Sequence, residues 1–136
     1  MNILIIDGQG GGVGKQLVTA IKAKHEHHTI TAVGTNSAAT VVMLKAGADY
    51  AATGENAVLV GCRTADVIIG PIGIAIADSL LGEITAAMAV AVGQSQAKKL
   101  LIPVNHCNNM IVGVADLTMN RLMQDVLVLL DSIGMD

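Results

Sequence analysis

The chain is 136 residues long, 52% hydrophobic and 14% charged, with a formal net charge of −3. That composition excludes disorder, and the lack of any basic run argues against nucleic acid, which is bound by clustered Lys and Arg neutralising phosphates. Tyr50 is the single residue among Phe, Tyr and Trp, so stacking on unpaired bases is disfavoured too.

The first element is NILII (2–6), a short apolar run that stops at an acid and a glycine cluster and so predicts a buried strand. Residues 13–24 place Val13, Leu17, Val18 and Ile21 on one face and Lys15, Gln16, Thr19 and Lys22 on the other, the pattern of an amphipathic helix. HTITAVG (28–34) is β-branched and predicts a second strand. A helix over 35–47 follows, with Thr35 or Asn36 as its N-cap and Gly47 as its stop. ADYAA (48–52) predicts a third strand, 55–64 a short helix and DVIIG (66–70) a fourth strand. Beyond Pro71, residues 72–97 read as mostly helical with a break at Gly82. KLLIP (99–103) predicts a fifth strand, NMIVGV (109–114) a sixth, and 116–133 a closing helix.

Strand and helix alternate throughout, and the strands are continuous apolar runs. The expectation is an α/β fold of three layers, a doubly wound parallel sheet of five or six strands with helices on both faces. A chain of this size buries roughly two-thirds of its unfolded surface, so a single domain over 1–136 needs no disulfide or metal. Cys62 and Cys107 lack metal spacing and are expected as reduced thiols. His25, His27 and His28 cluster at a predicted helix end, where imidazoles suit the dipole, and no metal is expected. The start of the chain shows no basic region followed by an apolar one. Asp66, Asp78 and Glu83 cut the most apolar stretch into pieces too short for the ~20 residues of a membrane span. A soluble, cytoplasmic protein without membrane contact is expected.

Ligands of such sheets bind outside the carboxyl ends of the strands. Here those ends are residues 7–15, 34–37, 53–56, 70–73 and 105–107. The first reads DGQGGGVGK, with five glycines in seven positions. A Walker A loop would need a glycine where Gln9 stands and a hydroxyl where Gln16 stands. The tract GGVGK is similar to the variant loop of MinD-type ATPases, but the signature lysine of that loop falls on Gly10. The dinucleotide fingerprint GxGxxG matches Gly8 and Gly10 and then meets Val13. The spacing GxxxGxG matches in full at Gly8, Gly12 and Gly14.

That last spacing resembles the short-chain dehydrogenase/reductase family, which implies a Rossmann-like fold, the strand order 3-2-1-4-5 over the alternative 2-1-3-4-5, and a dinucleotide such as NAD(P) as cofactor. The resemblance ends at the loop, because that family's Tyr-x-x-x-Lys pair is absent: Tyr50 is followed by AATG. The second strand also ends in AVGTNS, without the acid that NAD sites place there for the ribose. IDGQGGGVGKQ, VGTNSAAT, AATGENAVLV, DVIIGPIGI, ADSLLGEIT and LIPVNHC together resemble a family of short bacterial proteins known only as a domain of unknown function. That resemblance implies a compact Rossmann-like domain and no particular activity.

The expected ligand is a nucleotide or other phosphorylated metabolite, NAD(P) favoured. Gly8, Gln9, Gly10, Gly11, Gly12, Val13, Gly14 and Lys15 would hold its phosphate through backbone amides at a helix N-terminus. Gly34, Thr35, Asn36 and Ser37, with Pro71, Ile72, Gly73 and Asn105, would flank its sugar and base. The alternatives are an enzyme completed across a dimer through Cys107, His106, Asp78 or Glu83, and a ligand-free assembly partner. Against catalysis, Asp78 is expected to face water and Glu83 to favour the N-terminus of a helix beginning near Ile84. Residues 84–92 are apolar all round, which predicts a homodimer or larger homo-oligomer.

Overall fold

A computed structural model describes residues 1–104 and 108–134. Its five strands are β1 (Asn2–Asp7), β2 (Thr29–Gly34), β3 (Tyr50–Thr53), β4 (Val67–Pro71) and β5 (Lys98–Ile102). They are all parallel, in the order β3-β2-β1-β4-β5. The helices are α1 (Gly12–Lys24), α2 (Ser37–Lys45), α3 (Glu55–Thr64), α4 (Ala86–Gln94) and α5 (Met119–Gly134). This is the expected three-layer, Rossmann-like arrangement.

Side chains of a strand alternate between the faces of its sheet. In β1, Ile3 and Ile5 meet Val13, Leu17, Val18 and Ile21 of α1, with α2 and α5 beside them. Leu4 and Ile6 point the other way, onto Val58 of α3 and Met88 and Val92 of α4. The middle of a strand buried on both faces favours apolar side chains, which is why residues 3–6 are an unbroken apolar run between exposed Asn2 and the hydrogen-bonded Asp7. Each fully buried Ile or Leu contributes about 1.5–3 kcal/mol by leaving water. The winding reverses between β1 and β4, so their carboxyl ends form the switch-point crevice of the sheet.

Three expectations need correction. Residues 72–97 are not mostly helical: a 3-10 turn, Ile72–Ala75, is followed by an irregular path over 76–84, and only Ala86–Gln94 is α-helix. Residues 109–114 form no strand; Gly113 is left-handed, at φ 79°, and a turn replaces the ladder. The closing helix starts at Met119, where Thr118 Oγ1 accepts the Arg121 N–H. Asn36 caps α2 as expected by accepting the Ala39 N–H at 2.9 Å. Among the described residues, no helix is long and apolar enough to cross a membrane.

Two predictions follow from this packing. An added Cβ at Gly70 would overlap the Ile6 carbonyl oxygen on the neighbouring strand. Gly70→Ala is therefore expected to cost about 1–3 kcal/mol, read as a lower urea midpoint. His28, at the entry to β2, is buried, and burial followed by the charge of the Met1 amino group depresses its pKa from 6.5 to about 4. The unfolded chain then takes up a proton near pH 6.5 that the folded chain refuses until about pH 4. The His28 contribution to stability is complete above pH 6.5 and falls away toward pH 4. Urea midpoints across that window are expected to drop more steeply for the wild type than for His28→Asn.

Candidate functional site

The register pairs Asp7 with Gly34, so the tips of β1 and β2 lie side by side. Past Asp7 the chain turns through Gln9 at φ 50° and Gly11 at φ 74°, and Gly11 is the N-cap of α1. The Asp7 carboxylate is buried beneath this turn and accepts the Gly8 N–H at 2.8 Å and the Gly14 N–H at 2.7 Å. Burial pushes its pKa up; the N–H groups of Gly14 and Gly8 pull back, and the nearby Glu83 charge adds to the rise.

The five loop glycines have different causes. A Cβ at Gly11 would press on the Ala39 main chain at 2.9 Å, and one at Gly14 would overlap the Met43 sulfur, so both admit α2 close to the loop. A Cβ at Gly8 would meet Thr35 Oγ1 at 2.7 Å. Gly10 and Gly12 differ. Neither is left-handed, and a Cβ on either would stand in open space. Among the described residues, their amides have no backbone or side-chain acceptor. Lys15 is exposed on the first turn of α1 and forms no ion pair among the described residues.

The segment after β4 completes the site. It runs through left-handed Asp78 (φ 66°), Leu80 (φ 55°) and Leu81 (φ 56°), then Gly82 (φ 86°). Leu80 is buried while Leu81 is exposed. Glu83 is thereby brought over the tip of β2. Its Oε1 accepts from Thr35 Oγ1 at 2.6 Å, Asn36 Nδ2 at 2.7 Å and the Gln9 N–H at 3.0 Å. Among the described residues, Oε2 accepts only the Gln9 N–H, at 3.2 Å. Burial acts to raise the Glu83 pKa, but the bonds from Thr35, Asn36 and Gln9 outweigh it and hold the carboxyl below its ordinary range. Glu83 was expected at a helix N-terminus. Thr85 holds that place instead, accepting the Met88 N–H at 3.2 Å.

Gly8, Gln9, Gly10, Gly11, Gly12, Val13, Gly14 and Lys15 thus share one edge with Gly34, Thr35, Asn36 and Ser37. Pro71 and Gly73 are buried, and Ser79 Oγ lies on the Gly73 carbonyl, so the 76–84 segment closes over the end of β4. Ile72 is half-buried beside them and Asp78 is exposed. Asn105, His106 and Cys107 lie outside the described residues. Cys62 is a buried free thiol whose pKa burial raises, which makes it a core residue rather than a nucleophile. At the opposite edge of the sheet, the ligating atoms of His25, His27 and His28 lie within 4.8 Å of one another. There His25 Nε2 stands 2.7 Å from Asp131 Oδ1 and His28 Nδ1 stands 3.1 Å from the Met1 amino group. Sequence reasoning missed the role of Glu83, because its partners stand 48, 47 and 74 positions away along the chain.

Among solved structures, the chain is similar to a dodecameric FMN-dependent Ubix-like decarboxylase from Escherichia coli O157:H7. The identity is 18%, the match covers 98% of this chain and 77% of that one, and the TM-score is 0.47. Comparison with curated proteins finds no match. Residues 2–133 match a family described as a domain of unknown function, DUF3842, and the chain belongs to that family.

Proposed function

We propose that the chain, acting as one domain, binds a nucleotide or related phosphorylated metabolite at the carboxyl edge of its sheet, with an NAD(P)-type dinucleotide favoured. The observation that carries this reading is the pair Gly10 and Gly12. Among the described residues, nothing requires glycine at either position. Open glycines of this kind let a ligand approach the main chain closely. Both positions stand at the N-terminus of a 13-residue helix, where amides and dipole favour an anion. Asp7 takes the amides of Gly8 and Gly14, and those of Gly10 and Gly12 have no acceptor among the described residues. Lys15, one turn along, is free to reach a phosphate.

A binding or sensing role is favoured over catalysis. The ionisable groups described at this edge are poor proton carriers: Asp7 is buried under the loop, and Glu83 is held ionised by three donors. The test is the thermal midpoint with NAD, NADP, FAD, FMN, ATP, GTP and S-adenosylmethionine. A ligand at 100 times its Kd adds ~2.7 kcal/mol, several degrees for a domain of this size. At least one nucleotide is expected to give that shift. Gly12→Val is expected to remove it while leaving the unliganded midpoint nearly unchanged, because the new side chain enters open space. No shift with any member, or a shift that survives Gly12→Val, overturns the reading.

We also propose a homo-oligomer. The outward side of α4 presents Ala86, Ala87 and Val90, the last 52% exposed, and Leu81, Met110 and Val112 are more exposed still. Apolar surface of this kind marks an interaction site. Light scattering is expected to give a multiple of the 13.9 kDa chain mass, reduced by Val90→Asp; a monomeric mass for the wild type overturns it.

A further inference from the structure

We propose that Glu83 is the acceptor for the ribose hydroxyls of the bound nucleotide and makes the site selective for a ribose without a 2′-phosphate. This rests on the nucleotide reading above and goes beyond it, to which dinucleotide is taken and which residue decides.

The sequence at the tip of β2, AVGTNS, lacks the Asp or Glu that normally holds the ribose of NAD. The fold supplies a carboxylate there from a different element. Glu83 arrives through space from the segment after β4, and its Oε1 sits on Thr35 and Asn36, the first two residues past that tip. It also reaches the opening of the glycine loop, at the Gln9 N–H, and lies 3.3 Å from where a Gly8 Cβ would stand. The carboxylate therefore bridges the two structures that a ribose lies between in a Rossmann-like crevice.

Its bonding is uneven. Among the described residues, Thr35 and Asn36 donate to Oε1 alone, and the one Gln9 N–H is shared between Oε1 at 3.0 Å and Oε2 at 3.2 Å. A carboxylate oxygen has two lone pairs, so Oε2 retains capacity for another donor. An ionised carboxylate only accepts, which suits a vicinal diol that donates. A 2′-phosphate brings only acceptors and about −1.5 to −2 charge, and is repelled. Three closely spaced constraints hold the carboxylate in place. Asp78, Leu80 and Leu81 are all left-handed without being glycine, and strain of this kind persists where the surrounding structure imposes it.

The experiment is titration calorimetry of NAD+ and NADP+ with the wild type and Glu83→Gln. The wild type is expected to bind NAD+ at least tenfold more tightly than NADP+. Glu83→Gln is expected to narrow that ratio to threefold or less, chiefly by weakening NAD+. If Glu83 only held the loop together, both cofactors would weaken by the same factor and the ratio would survive, which overturns the inference. Equal or tighter binding of NADP+ by the wild type overturns it without any variant. A wild type that binds other nucleotides but neither dinucleotide also sinks it while leaving the nucleotide reading intact. Silence with every nucleotide sinks both.

Discussion

The Asp7 carboxylate, lodged under the glycine loop, takes the amides of Gly8 and Gly14 and so ties the end of β1 to the third residue of α1. A buried carboxylate is costly unless its oxygens are hydrogen-bonded, and here the backbone of the loop is the solvent. Several neighbouring features depend on that arrangement. α1 must leave the strand at the angle that keeps Gly14 over Asp7, and the helix then has no room for a side chain at that position. The sulfur of Met43 fills the space and draws α2 against the loop. With Gly14 turned inward, the outward amides of the helix start are those of Gly10 and Gly12. One interaction thus divides the loop into a half that serves the fold and a half that is left over.

The other half of the edge is organised from a distance. The path from β4 to α4 spends three left-handed non-glycine residues, each costing about 1–2 kcal/mol relative to an ordinary conformation. Burial of Leu80 and Ile84 offsets part of that, and the Ser79 hydroxyl on the carbonyls of Gly73 and Ile76 adds local support. The route taken delivers Glu83 to the tip of β2, where three donors converge on one oxygen.

What was legible in the sequence was whatever depends on local pattern. Residues 3–6 and 67–69 are apolar on both faces because β1 and β4 lie inside the order 3-2-1-4-5 and have no solvent face, while β2 keeps half-buried Thr29 and Thr31 on one side. The stripe of Val13, Leu17, Val18 and Ile21 and the Asn36 cap are likewise local signals that the structure repeats. The region after Pro71 misled because Ile, Ala and Leu favour a helix when their surroundings are unknown. The left-handed turn there is imposed by contacts with Gly73, Ile84 and the β2 tip, and Gly82 was its only visible mark. NMIVGV misled in the opposite direction, since β-branched residues form a strand only where a neighbouring strand offers a ladder. The glycine loop itself was legible, but the division of labour inside it was not. Gly11 and Gly14 are set apart from Gly10 and Gly12 by Ala39 and Met43, residues of another helix, and Gly11 also by its left-handed backbone.

The distribution of charge at the edge narrows the chemistry further. Two acids stand close enough that the Glu83 charge raises the Asp7 pKa, an odd setting for a phosphate. Like charges about 4 Å apart near a protein surface repel by roughly 4 kcal/mol. A compact, fully anionic ligand such as orthophosphate would meet that repulsion with little in return. On the proposed reading, an elongated ligand would avoid it by presenting its anion to the amides of Gly10 and Gly12 and its hydroxyls to Glu83. On the nucleotide reading proposed above, Glu83 would favour a ligand whose hydroxyl donors are set apart from its anion, while Asp7 stays buried beneath the loop. A nucleotide has that separation built into it, with phosphate and ribose hydroxyls on opposite sides of the sugar ring.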